Sequence, residues 1–160
     1  VECVKTMNKV ALTIENSLKY WKRFKTREYE LKDMNTECIM NYAVCTTAMN
    51  VDAKAIIAYT NTGDTPRIVS SFGPGCPIFA ITQNEVIYRQ LGLCWGITPK
   101  LFEPQPNIDV LLHKGLDKLR EEKYLNEGDK VVIAGGTKVL TDVPTEELKQ
   151  NIVMGGVVEV

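Results

Sequence analysis

One histidine, His113, is all the imidazole in this chain of 160 residues. It has no cysteine or carboxylate at ligand or triad spacing, so no Cys–His metal knot and no serine-type relay is read from it. Charge of one sign is missing as well. The 19 Lys and Arg nearly balance 20 Asp and Glu, a net charge of −1, and without a basic face nucleic acid is not an expected partner. Apolar runs are short; none reaches the ~18 residues of a membrane span, and no membrane association is expected. The opening VECVKTMNKVALTIEN has acidic residues and no cleavage pattern, which does not read as a signal peptide. Paired cysteine motifs are absent. Cys3, Cys38, Cys45, Cys76 and Cys94 are odd in number and form no CxxC, which argues for small buried side chains in a reducing cytoplasm rather than a disulfide framework or metal site. AGGTK, at 134–138, has neither a Walker pattern nor a dinucleotide fingerprint.

What is present suits one domain, long enough to bury a core unaided. Val4, Met7, Val10, Ala11, Ile14 and Leu18 recur at helical spacing and predict an amphipathic helix over 2–19. YWKRFKTREYELKDMN has no clean period and reads as an exposed connection. Asn35 or Thr36 caps a helix running to Asn50, with Ile39, Tyr42, Ala43, Thr46 and Thr47 as its expected face. Cys38 and Cys45, seven apart, share a side of it. Then KAIIAYT, PIFAIT, GITPKLF and DKVVIAGG read as strands, with PRIVSSF, NEVIYRQLGL and NIDVLLHKGLDKLREEKY as the helices between them. Such alternation means βαβ units and a mostly parallel sheet. The polar TKVLTDVPTEELKQN holds one expected helical turn, and IVMGGVVEV closes the chain as a strand. The crossover before it is too short for a parallel partner, so an antiparallel edge is expected. Trp21 and Trp95 are read as packing residues, and Lys118, Arg120, Glu121, Glu122 and Lys123 as a solvated helix face.

TNTGDTPR, at 60–67, leaves the first of these strands. The hydroxyls of Thr60, Thr62 and Thr65, the amides around Gly63, and a helix starting at Thr65 or Pro66 could surround an anion. Asp64 opposes that, since a carboxylate repels a phosphate. The other reading is that the loop serves only as strand exit and helix cap, with Arg67 available for a carboxylate at a subunit contact. Both readings stay open here.

VECVKTMNKVA, AIIAYTNTGDTPRIVSSFGPGCPIFAIT, RQLGLCWGITP and LNEGDKVVIAGG occur in the order and spacing of the C-terminal part of pyruvate kinases. The chain resembles that family over residues 1 to about 136. The resemblance implies a three-layer α/β/α sandwich on a five-stranded mixed sheet, mostly parallel with an antiparallel last strand. Residues 1–19 would be the last helix of a catalytic barrel and 20–160 the C-terminal domain. The parent would transfer phosphoryl from phosphoenolpyruvate to ADP with Mg2+ and K+. The catalytic and metal sites would lie upstream, with none in this chain. Partners implied are the chain's own catalytic barrel and a homo-oligomer, a tetramer in the parent, built with the helix over 36–50. The resemblance also implies a sugar-phosphate or nucleotide monophosphate effector on Thr60, Asn61, Thr62, Gly63 and Thr65. Three departures weigh against fructose 1,6-bisphosphate: Asp64, Leu111 where the family's binders carry an arginine, and TKVLTDVPTEELKQN in place of a glycine-rich closing loop. The alternative is a free-standing α/β phosphate-binding module or small phosphate-handling enzyme. The first nineteen residues discriminate the two, because a barrel helix without its barrel leaves its apolar face uncovered.

Overall fold

Successive side chains of a strand point to opposite faces, and in this chain that alternation builds two cores. A computed structural model describes residues 1–26, 34–105, 108–136 and 153–160. Strands β1 (Ala55–Tyr59) and β2 (Ile78–Thr82) are buried at every position. That is why both read as unbroken apolar runs, as strands covered on two faces do. On one face Ile56, Ala58, Ile78 and Ala80 join Val132 and Ala134 of β4 (Lys130–Gly136). They meet Val44, Cys45 and Ala48 of α3 (Thr36–Asn50) and Val69 and Phe72 of α4 (Asp64–Phe72). Leu91 of α5 (Glu85–Leu91) completes that side. On the other face Ile57, Tyr59, Phe79, Ile81 and Val131 pack under Leu111, Leu116 and Leu119 of α6 (Ile108–Glu121).

The sheet order is β3-β2-β1-β4-β5, with β3 spanning Ile97–Leu101 and β5 spanning Val153–Glu159. β1 pairs in parallel with β2 and β4, and β2 with β3. β5 runs antiparallel along β4, placing Val131 opposite Val158. The expected five-stranded mixed sheet between two helical layers is therefore present. The expected polar segment over 137–151, with its helical turn, lies outside the described residues, as does 27–33 of the expected connection.

Two local expectations are corrected. Residues 20–26 form a helix, α2 (Tyr20–Thr26), rather than an exposed connection. Trp21 and Phe24, three apart, give it one buried side. Phe24 stacks on Tyr42 with centroids 5.4 Å apart, and the Trp21 ring lies so close to Gly75 that an added Cβ would stand 2.7 Å from it. Lys22, Arg23 and Lys25 remain exposed, and these charges hide so short a period. In α3 the buried face is Asn41, Val44, Cys45 and Ala48, while Ile39 is 40% exposed. The spacing of that face is helical, but Asn41 at its head disguises it. The Asn41 amide donates to Glu37 O at 2.9 Å, and its Oδ1 has no partner among the described residues. The start of α3 is as expected, with Asn35 accepting from Cys38 N at 2.8 Å.

Helix α1 (Glu2–Ser17) has an amphipathic sequence and no cover for it among the described residues: Val4, Met7, Val10 and Ile14 are all more than half exposed. Among the described residues no helix is long and apolar enough to cross a membrane.

Candidate functional site

From β1 the chain steps outward to β2 and β3 by way of α4 and α5 on one face. It then returns through α6 on the other face to set β4 beside β1. The strand order therefore reverses between β1 and β4. In open α/β sheets the crevice at the carboxyl ends of such a pair is where ligands bind. The loop holding Thr60, Asn61, Thr62, Gly63 and Thr65 leaves β1 at this point, next to the end of β4, where Tyr59 pairs with Gly135.

Thr60 and Thr65 are each only 5% exposed, and Gly63 is buried between them; Asn61, Thr62 and Asp64 face water. Thr60 N donates to Ile81 O at 3.0 Å, anchoring the loop to β2. The Thr60 hydroxyl accepts from Gly63 N at 2.7 Å. Gly63 holds φ +87°, the left-handed region that favours glycine, and acts as N-cap of α4 with no side-chain capping bond. The helix thus begins at Asp64, ahead of the expected Thr65 or Pro66, because the loop tightens on Thr60. Pro66 falls third, within the first turn whose N–H groups have no helical partner, so it removes no ladder bond.

Within this chain Arg67 has two hydrogen-bond acceptors. Its Nη1 donates to Thr62 O at 3.3 Å and its Nη2 to Gln90 Oε1 at 2.8 Å. Asp64 Oδ1 lies 3.9 Å from Nη1. Leu111 is 3% exposed and sits in the core on the α6 side, so that position offers neither a cation nor access to the loop. His113 is on the exposed side of α6. Of the charges near the end of α6, Glu122 pairs with Lys100 of β3, and Lys118 lies 5.3 Å from the Phe102 ring centroid.

A second concavity, about 310 Å³, was not anticipated from sequence; it lies between α1, α2 and the end of α4, lined by Glu15, Tyr20, Arg23, Ser70, Phe72 and Trp95 among others. Trp95 stacks on Tyr20 with centroids 5.1 Å apart, and its Nε1 donates to Glu15 Oε1 at 3.3 Å. A tryptophan eighty residues from its partner leaves no periodic trace in the sequence.

Two thiols complete the picture, Cys45 buried and Cys76 partly buried. Burial pushes Cys45 up to about 12, with neighbouring Cys76 adding to the shift, and burial likewise pushes Cys76 up to about 12. Burial also raises the Tyr59 phenol. Each group is held protonated by the fold, so the unfolded chain loses these protons first. Stability is expected to be full below pH 9, the ordinary thiol value, and to fall as pH rises from there toward 12. The decline should approach ~1.4 kcal/mol per pH unit for each thiol. Urea midpoints measured from pH 8 to 11 check this, and a flat profile would refute it.

The family described as "Pyruvate kinase, alpha/beta domain" matches residues 39–149. A pyruvate kinase of Clostridium acetobutylicum is 35% identical over 153 residues, 96% of this chain and 32% of that protein. One of Sporosarcina psychrophila is 33% identical over 153 residues, covering 96% of this chain and 26% of its own length. The chain thus spans between a quarter and a third of these relatives. Among solved structures, a Cryptosporidium parvum pyruvate kinase in complex with ADP has the same fold, with a TM-score of 0.77 at 21% identity. That likeness covers 98% of this chain and 30% of the other. With its mixed sheet, its order of elements and more than half its length matched, the chain belongs to the pyruvate kinase family and carries that family's α/β domain.

Proposed function

We propose that this chain is the C-terminal regulatory and oligomerisation domain of a pyruvate kinase, the enzyme that moves a phosphoryl group from phosphoenolpyruvate to ADP, and that it is not catalytic alone. The observation that carries the reading is α1. Val4, Met7 and Val10 are 68%, 70% and 53% exposed along one stripe, and an exposed apolar stripe of this kind marks a surface that another body covers. The covering body is the catalytic barrel, of which α1 is the last helix, and the relatives have ample length for it. Glu15 and Trp95 join that helix to the domain. No three of His, Cys, Asp and Glu converge among the described residues. We assign the ions that the transfer uses to that covering part of the enzyme.

The edges of the sheet support association with a second copy. β3 carries Pro99, which lacks an N–H, and Lys100, both features that keep an edge from pairing. β5 is the opposite edge and offers exposed Gly156 and Val157. Beside it, Met40, Ala43 and Thr47 of α3 line an apolar groove of about 280 Å³. We place the homo-oligomer contact there, within a tetramer of the whole enzyme.

The test is a paired substitution, Met7→Glu with Val10→Glu. In the chain alone it should leave Tm unchanged, because that face is already in water. In a longer polypeptide that carries the chain behind a barrel, it should abolish phosphoryl transfer. An isolated chain that turns over phosphoenolpyruvate at ~1–100 per second, or a longer polypeptide indifferent to both substitutions, would overturn the reading.

A further inference from the structure

We propose that Trp95 is the latch of a hinge: its indole N–H fastens Glu15 of α1 to the domain, and when that bond opens α1 swings about Leu18 and Lys19. On the barrel reading above, the latch sets the angle at which α1 presents its stripe to the covering body. The latch itself belongs to this chain and holds whatever covers the stripe. The hinge lies between α1 and α2, where Leu18 is extended with φ −76° and ψ 129° and a new helix starts at Tyr20. Among the described residues, the bond from Trp95 Nε1 to Glu15 Oε1 is the one hydrogen bond or ion pair that joins α1 to any residue beyond Leu18. Glu15 and Leu18 also line the concavity of about 310 Å³, which leaves the end of α1 room to move.

Trp95, by contrast, has a fixed mount. Leu93 N and Cys94 N donate to Gln90 O and Leu91 O at 3.1 and 3.0 Å, winding the end of α5 into a turn. Gly96, with φ +69°, redirects the chain in the left-handed region that favours glycine. Its carbonyl accepts from Ile78 N of β2 at 3.1 Å, which ties the turn to the sheet. Ser70 Oγ of α4 donates to Trp95 O at 2.6 Å, and the ring stacks on Tyr20 at the head of α2. Glu15 is a poor choice for a free helix. It falls in the last turn of α1, which has no basic residue, and the negative end of the helix dipole disfavours a carboxylate there. A local rule broken in this way points to a tertiary role, and the acceptor for Trp95 is that role.

A helix as short as α1, standing alone, is marginal in water, so its amides report whether it is fastened. The measurement is millisecond hydrogen exchange on this chain, comparing α1 with β1 and β2. Trp95→Phe keeps a ring on Tyr20 and removes the N–H. Exchange in α1 is expected to quicken roughly three- to tenfold, the worth of one hydrogen bond, while β1 and β2 stay as they were. Glu15→Ala separates a latch from helix propensity by sign. Alanine is the better helix former and removes an ill-placed charge, so propensity alone would slow exchange in α1; the latch requires it to quicken. Glu15→Gln keeps an accepting oxygen and is expected to stay within about twofold of the wild type. Unchanged exchange in Trp95→Phe, slower exchange in Glu15→Ala, or an equal loss in Glu15→Gln would overturn the proposal. So would an equal rise across β1 and β2, the mark of general destabilisation. Should Trp95→Phe fail to fold, the two variants of exposed Glu15 decide the matter. These outcomes leave the Met7 and Val10 result untouched, so failure here and failure of the barrel reading are separable.

Discussion

Phe24→Ala is expected to lower the stability of this chain by about 3–5 kcal/mol, the range for truncating a large core aromatic. Phe24 is 3% exposed. It stacks on Tyr42 and meets Trp21 edge-on with centroids 6.0 Å apart. Removing the ring therefore opens a void where α2 and α3 meet, and it also undoes the docking of α2. Denaturation in urea should show a lower midpoint with the slope little changed. Were residues 20–26 the exposed connection their charges suggest, the loss would stay within ~0.5 kcal/mol, as for ordinary surface substitutions. The two outcomes are far enough apart for one titration to separate them.

Gly115→Val is expected to cost ~2–4 kcal/mol, the sum of overpacking and a broken buried hydrogen bond. A Cβ at Gly115 would stand 2.4 Å from Ile81 Cδ1 and 2.9 Å from the Tyr59 hydroxyl. Ile81 and Tyr59 are each 1% exposed, so neither has room to retreat. α6 would have to lift off the sheet. That movement breaks the bond in which Tyr59 OH donates to Leu112 O at 3.2 Å. Glycine inside a helix is unfavourable by ~1 kcal/mol against alanine, so its presence in α6 trades helix propensity for close approach. Thermal denaturation should show Tm falling by roughly 2–4 °C for each kcal/mol lost. A rise in Tm would mean that propensity outweighs contact at this position.

What the sequence by itself determined is what local rules govern. The runs of β1, β2 and β4 are unbroken because both faces of those strands are covered, and burial of that kind is written residue by residue. Asn35 was readable as a cap because its side chain reaches an amide only three residues on. The antiparallel β5 followed from the length of chain before it, and the family from residues quoted in order. Tertiary structure alone decided the rest, because those choices depend on residues far apart in the chain. The two aromatics of α2 find Tyr42 and Gly75 across the fold, and no period can form from two positions. The buried side of α3 turned to Asn41 because the sheet and α4 met it there, although Ile39 looked the better core residue. Leu111 lay at a position compared with a ligand-binding arginine, yet only the crossing of α6 placed it in the core. The state of the 60–65 loop was set the same way. Its threonines and glycine are read locally, but the acceptor for Arg67 beside it is Gln90, twenty-three residues further on. Hydrogen-bonding capacity is a local property, whereas its prior commitment to a distant partner is not.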